Sequence, residues 1–285
     1  MKWDEFRETL KEKILYWNQD VQDKDVFDFT ENDLAEYLEN NDSFKLYRYM
    51  PPEYYNIRNI ETQKIHLSNN GVMNDLYDGL PALSEANINV NAIGDLAVMT
   101  CFSETNTNTL MWSHYASSHK GFCVEYDLKR FIEDPLEIKK HLFPIVYTEE
   151  RLIQKNIDSI IESMKELRRA IDEHIVYDGS EVLDDILPLF LTKGNAWEYE
   201  REWRIIYTKK QIYEFDDDAL YSGSILFNCI SAIYLGYRID VEKRNHILEI
   251  CNRINTLDNS IRVYQEKLDK TGYNIQFEEL VHREG

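Results

Sequence analysis

Apolar residues recur at helical spacing at the start of the chain. Trp3, Phe6, Leu10, Ile14, Leu15 and Trp17 predict a helix over 3–18. An acidic linker over 18–32 follows, and a second short helix is expected over 31–40, with Thr30 as a candidate N-cap. Together they make a helical N-terminal arm over 1–43, whose apolar stripe suits core packing and could also meet a partner. The pattern then changes to runs rich in apolar, β-branched and aromatic residues, predicting strands over 44–50, 64–68, 96–102, 121–127 and 141–147. Pro51-Pro52 halts the first of these.

Helical spacing returns over 149–177, where Leu152, Ile157, Ile160, Ile161, Met164, Leu167 and Ile171 share one side. Another helix is expected over 184–193, begun or kinked by Pro188. A strand over 203–207, an acidic turn at 216–218, a strand over 232–235 ended by Gly236 and a helix over 240–255 follow. The terminal segments 261–268 and 273–280, around Lys270-Thr271-Gly272, read as a hairpin. This order predicts an α+β fold with largely antiparallel strands rather than regular βαβ alternation. The core is expected over 44–240, with the helix and hairpin of 241–285 packed on it.

Composition narrows the classes. With 285 residues, 43% apolar and only 10 Gly and 6 Pro, the chain is globular and can bury a large core. No apolar run reaches the roughly 18–20 residues of a spanning helix, and the N-terminus lacks a signal-peptide core. No membrane association and a cytoplasmic home are therefore expected. Cys101, Cys123, Cys229 and Cys251 are widely spaced, which predicts buried reduced thiols rather than a zinc site or disulfides. A net charge of −20 disfavours a generic nucleic-acid surface, though not one local basic pocket.

Chemistry concentrates in five places. The first is Leu46-Tyr47-Arg48-Tyr49, where an Arg between aromatics in a strand is either paired with a carboxylate or free to clamp phosphate. The second is the turn-forming Gly71-Val72-Met73-Asn74-Asp75-Leu76-Tyr77-Asp78. The third is Cys101-Phe102-Ser103-Glu104-Thr105. Here Thr105 or Asn106 could cap a helix, and Ser103 could orient a carboxylate but lacks a hydrolase elbow.

The fourth place is Met111-Trp112-Ser113-His114-Tyr115 with His119-Lys120-Gly121, whose histidine spacing fits no known metal pattern. Trp112 and Tyr115 read either as core aromatics or as a rim for a flat ring. The fifth is the run over 198–207, Glu-Tyr-Glu-Arg-Glu-Trp-Arg-Ile-Ile-Tyr, preceded by Lys193-Gly194-Asn195-Ala196-Trp197. If the strand reaches back to Glu200, then Glu198, Glu200 and Glu202 project from one face, with Arg201 and Arg204 on the other. Such crowding calls for a cation or a charge-developing reaction, and its plainest alternative is a solvated acidic edge. No Gly-rich phosphate loop occurs in the chain.

In order, Leu46–Tyr49, Asn74-Asp75, Cys101–Ser103, Trp112–Tyr115 with Lys120-Gly121, and Lys193 to Arg204 resemble an uncharacterised bacterial family known only as a domain of unknown function, over about 44–240. More weakly, an Arg on the first core strand, a strand ending in Phe-Ser-x-Thr and a later Glu-x-Glu resemble the Arg–Ser–Glu type of ADP-ribosyltransferase. That likeness implies a split antiparallel sheet binding NAD as substrate, with no metal. Arg48 would hold the phosphates and Ser103 would position the acid, while Tyr47, Trp112, His114 and Tyr115 would line the nucleotide. Glu202 would be the catalytic carboxylate and Glu200 its helper.

Departures from that type are plain: Ser103-Glu104-Thr105 stands for the usual Ser-Thr-Ser, and a helical insertion separates Ser103 from Glu202. The activity implied is mono-ADP-ribosyl transfer to a protein or nucleic-acid acceptor, in a toxin or phage-defence effector with a protein partner or antitoxin. Without an acceptor, the same site would be an NAD glycohydrolase. The alternatives are a non-catalytic nucleotide-sensing or interaction module and a metal-dependent hydrolase using His114, His119 and the glutamates. A transferase of this type needs Arg48, Ser103 and Glu202 to line one cleft; Arg48 and Glu202 on opposite sides of the sheet would defeat it.

Overall fold

The computed structural model describes residues 2–19, 26–69, 75, 97–130, 138–149, 190–208, 224–255 and 260–280, with the isolated positions 165, 166, 169, 173 and 187. Expectations for Asn74, for the acidic turn at 216–218, for most of the helix over 149–177 and for much of that over 184–193 fall outside these residues.

Helix α1 (Trp3–Gln19) matches its periodicity, but α2 (Val26–Asn40) begins earlier than expected and takes Thr30 into its interior. Phe6, Leu10, Leu34, Tyr37 and Leu38 join the same apolar core as the central strands, so both helices are part of the body of the protein. Then follow β1 (Lys45–Met50), α3 (Tyr54–Thr62), β2 (Lys64–His66) and β3 (Ser68–Asn69). After them come β4 (Ala97–Ser103), α4 (Thr109–Tyr115) and β5 (Phe122–Asp127). The cap of α4 is Asn108, whose side chain accepts from Leu110 and Met111, rather than Thr105 or Asn106.

The run over 141–147 is two strands. In β6 (Leu142–Pro144) the chain pairs with β9 (Glu202–Thr208), and in β7 (Val146–Thr148) it turns to β8 (Thr192–Gly194). The remaining elements are β10 (Ser224–Leu226), β11 (Ile230–Leu235), α5 (Val241–Ile254), β12 (Arg262–Leu268) and β13 (Ile275–Glu279). Asp240 caps α5 through the N–H groups of Glu242 and Lys243.

The main sheet runs β13-β12-β11-β5-β1-β4-β9-β6, with β3 also on β4, and within it only β11–β12 is parallel. The fold is α+β with a mostly antiparallel open sheet. One joint is weak: β1 and β4 share a single register pair, Tyr47 opposite Ser103. Farther along β4, Val98 and Met99 pair with β3 instead. The strands therefore part in the middle of the sheet, between continuous ladders on either side.

Alternation assigns the faces. Leu46, Met50, Phe102, Val124, Trp203, Ile205 and Tyr207 enter the large core, against which α1 and α2 pack. Tyr47, Tyr49 and Cys123 belong to a smaller cluster on the other face, with Met111, Trp112 and Tyr234. A tight turn after α4 seats that helix. Any side chain at Gly121 would meet the Met50 carbonyl oxygen at 2.1 Å, so only glycine permits the approach. Among the described residues no helix is long and apolar enough to cross a membrane.

Candidate functional site

The parting of β1 from β4 leaves a cavity of about 580 Å³, within the usual range for small-molecule sites. Its walls include Tyr47, Arg48, Tyr55, Asn56, His66, Cys101, Ser103, Tyr115, Lys193, Glu200 and Glu202. Residues from opposite faces of the sheet meet here. By alternation Arg48 shares the face of Leu46 and Met50, whereas Glu202 lies opposite the face of Trp203 and Ile205. That opposite placement is the one expected from the sequence to defeat a transferase of this type; the other requirement, that Arg48, Ser103 and Glu202 line one cleft, is met.

The acidic run does not enter the strand as expected. Residues Asn195–Glu200 form a 3-10 turn and Arg201 takes a left-handed conformation with φ of 46°, so extended backbone begins only at Glu202. Glu198 is therefore exposed and shares no face with the other two acids. The placement of Arg204 is also corrected. It lies on the same face as Glu202, fully buried, and grips that carboxylate with Nε at 2.7 Å and Nη2 at 3.0 Å.

Lys193 completes the cluster, with Nζ 2.6 Å from Glu200 and 3.0 Å from Glu202. It comes from β8 and also lies over the Trp197 ring. Two buried cations thus answer two buried carboxylates, and the cation that the crowding demanded is the chain's own. Sequence reasoning noted Lys193 only as a leader residue. Its one available signal was a lysine two residues after the apolar pair Phe190-Leu191.

The two acids differ electrostatically. Burial alone would raise the Glu202 pKa, but Arg204 and then Lys193 overcome it and hold the carboxyl at about 2. For Glu200, burial and the neighbouring Glu202 charge outweigh Lys193, and its pKa is raised. Glu200 accepts from the Tyr115 hydroxyl as well as from Lys193. Cys101 hydrogen-bonds Glu202, and burial pushes its thiol well above the usual range.

Ser103 is fully buried, and its hydroxyl donates to the Glu200 carbonyl oxygen at 2.7 Å. It anchors the backbone of the acid turn rather than a carboxylate. Arg48 is half-buried, and its Nη1 reaches the His66 carbonyl oxygen at 3.4 Å. The Tyr47 hydroxyl hydrogen-bonds Glu125 away from the cavity.

Trp112 and His114 do not line the cavity. Trp112 is wholly buried and donates to the Asn106 carbonyl oxygen; His114 is exposed beside Tyr115 and Tyr199. The apolar surroundings of Trp112 claim it for the core. His119 pairs with the buried Glu266 and stacks on Trp112, and no metal-holding group of three or more His, Cys, Asp or Glu occurs among the described residues.

Residues 111–205 match the family described as "Protein of unknown function (DUF2971)", a third of the chain. The match takes in Trp112–Tyr115 and Lys193 to Arg204, and leaves out the blocks at Leu46–Tyr49, Asn74-Asp75 and Cys101–Ser103. No curated protein and no solved structure matches the chain, so the likeness to ADP-ribosyltransferases rests on its residues alone.

Proposed function

We propose that the split-sheet cavity binds NAD and transfers its ADP-ribose, with Glu200 rather than Glu202 as the reacting acid. The observation that carries this is that Arg48, Glu200 and Glu202 line one cavity, although alternation aims Arg48 and Glu202 to opposite faces of the sheet. Arg48 supplies a planar donor fork for phosphate oxygens. Tyr47, Tyr55 and Tyr115 supply ring surfaces for a base or a nicotinamide.

In the reaction, the bond between ribose C1′ and the nicotinamide nitrogen breaks, and its electron pair neutralises the pyridinium. Nicotinamide leaves, and C1′ passes through an oxocarbenium-like state. The acid pair faces that charge, in surroundings where fixed charges act more strongly than in water. The acceptor then bonds to C1′ and yields its proton to Glu200, whose raised pKa makes it a better proton acceptor than Glu202. Water as acceptor makes the same step NAD hydrolysis.

A second function has an observation of its own in favour. Glu202 is held on both oxygens by Arg204 and Lys193, which blunts it as a free charge and suits a nucleotide-sensing module. Incubation with NAD, with and without protein or nucleic-acid acceptors, separates the two. Nicotinamide release that Glu200→Gln lowers at least a hundredfold, with NAD binding retained, supports the transferase. Binding without release in any condition supports the module, and neither binding nor release sets both aside.

A further inference from the structure

Outside the cavity, one buried carboxylate is tied to the acid turn from behind. Glu104 directly follows β4, its side chain only 3% exposed. Its Oε2 accepts from Arg201 Nε at 2.8 Å and from Arg7 Nη1 at 3.0 Å, while Oε1 accepts from the Trp203 indole at 2.8 Å. Its backbone N–H donates to the Arg201 carbonyl oxygen at 3.1 Å. Glu104 therefore holds both the main chain and the side chain of the residue between the two acids.

That residue is the one that needs holding. Arg201 sits at φ 46°, a conformation costly for a side chain larger than glycine. The left-handed step turns the chain so that Glu200, from the 3-10 turn, and Glu202, from the strand, both reach Lys193. In fully extended backbone, residues 200 and 202 would simply repeat along one face. Arg7 joins the hub from α1, whose Trp3 and Phe6 pack on the Trp203 ring at centroid distances of 5.5 and 6.2 Å.

We infer that Glu104, backed by Arg7 of the N-terminal helix, is a positioning residue that sets the separation of Glu200 and Glu202 through Arg201. The role in catalysis rests on the transferase function proposed above; the geometric role does not. Glu104 is not among the residues lining the cavity and acts through Arg201 and, at the next residue but one, Trp203. Glu104→Gln keeps an acceptor for the Trp203 indole while weakening both charge-assisted bonds.

Two readouts on the full chain test this. Carbon-13 NMR of glutamate carboxyls, assigned with Glu200→Gln, follows Glu200 against its neighbours Lys193, Glu202 and Tyr115. In Glu104→Gln the Glu200 titration should move down toward the ordinary carboxylate range, whereas in exposed Glu198→Gln it should stay where the wild type has it. Nicotinamide release from NAD should show kcat reduced about a hundredfold with KM little changed, as expected when a reacting group is misplaced.

An unmoved Glu200 titration in Glu104→Gln overturns the positioning role, whatever the turnover. A moved titration in a protein that never cleaves NAD upholds positioning and removes the transferase. If Glu104→Gln does not fold, Arg7→Met carries the same test, with the same two outcomes and a smaller shift.

Discussion

Two buried carboxylate clusters sit by the same sheet, and they differ in one acid, Glu200, whose pKa is raised while those of Glu125 and Glu202 are lowered. Glu125, in β5, accepts from Lys45 at 2.8 Å, Ser231 at 2.7 Å and Tyr234 at 2.8 Å. Burial opposes its ionisation, but these partners outweigh it and its pKa is lowered. It does not line the cavity. Glu200 and Glu202 are also buried and paired, yet they border the cavity, and one of them is pushed toward holding its proton. Burial and pairing alone therefore do not distinguish a site from a structural ion cluster. Open space beside an acid whose pKa is raised is what makes the second cluster the candidate site.

The sharpest way to break that contrast is to remove Arg204. Arg204→Met should cost about 3–5 kcal/mol in urea unfolding, because Glu202 would stay buried with its main partner gone. A loss under 1 kcal/mol would mean that Glu202 is not held as described.

Acid titration of stability comes next. The folded Glu202 pKa of about 2 lies below its ordinary value of 4.5, so its contribution is present above the unfolded pKa and lost as pH falls through 2. That loss amounts to about 3 kcal/mol and should vanish in Glu202→Gln. Glu200 carries the opposite sign. Its folded pKa is raised, so its contribution is present below the unfolded pKa and fades as pH rises through the folded one; Glu200→Gln should remove that decline.

A smaller effect belongs to the sealed cluster. Glu125→Gln should cost about 2 kcal/mol through its charge-assisted bonds and leave nicotinamide release unchanged. Equal losses of activity at Glu125 and Glu200 would erase the distinction between the clusters. Smallest of all, Glu198→Gln should stay within about 0.5 kcal/mol of the parent, as exposed substitutions do.

The strands were legible because alternation survives burial. Leu46 and Met50 go to one core, Tyr47 and Tyr49 to the other, as period two demands. Helix α5 was legible as a helical segment, and the terminal hairpin from its turn residues. The acid turn was not. Glu-Tyr-Glu-Arg-Glu alternates like a strand, and nothing local announces a non-glycine residue with positive φ at Arg201.

The division of 141–147 into two strands was equally hidden. It occurs at Ile145, whose N–H donates to the Glu202 carbonyl oxygen while its neighbours pair with different strands. Lys193 was visible as a residue but not as a partner, because its pairing depends on where β8 lies beside β9. Arg204 shares the face of Glu202 by the same period of two along β9, and that was legible. The split between β1 and β4 is likewise a matter of register, set by one pair of residues far apart in sequence.

Calorimetric titration of NAD into the full chain and into Arg48→Ala tests the joined cavity most directly. One NAD should bind per chain, and Arg48→Ala should weaken it at least tenfold, the loss of a charge-assisted phosphate contact. Absence of binding, or binding that is indifferent to Arg48, would contradict the claim that the split sheet brings Arg48 and the acid pair to the same ligand.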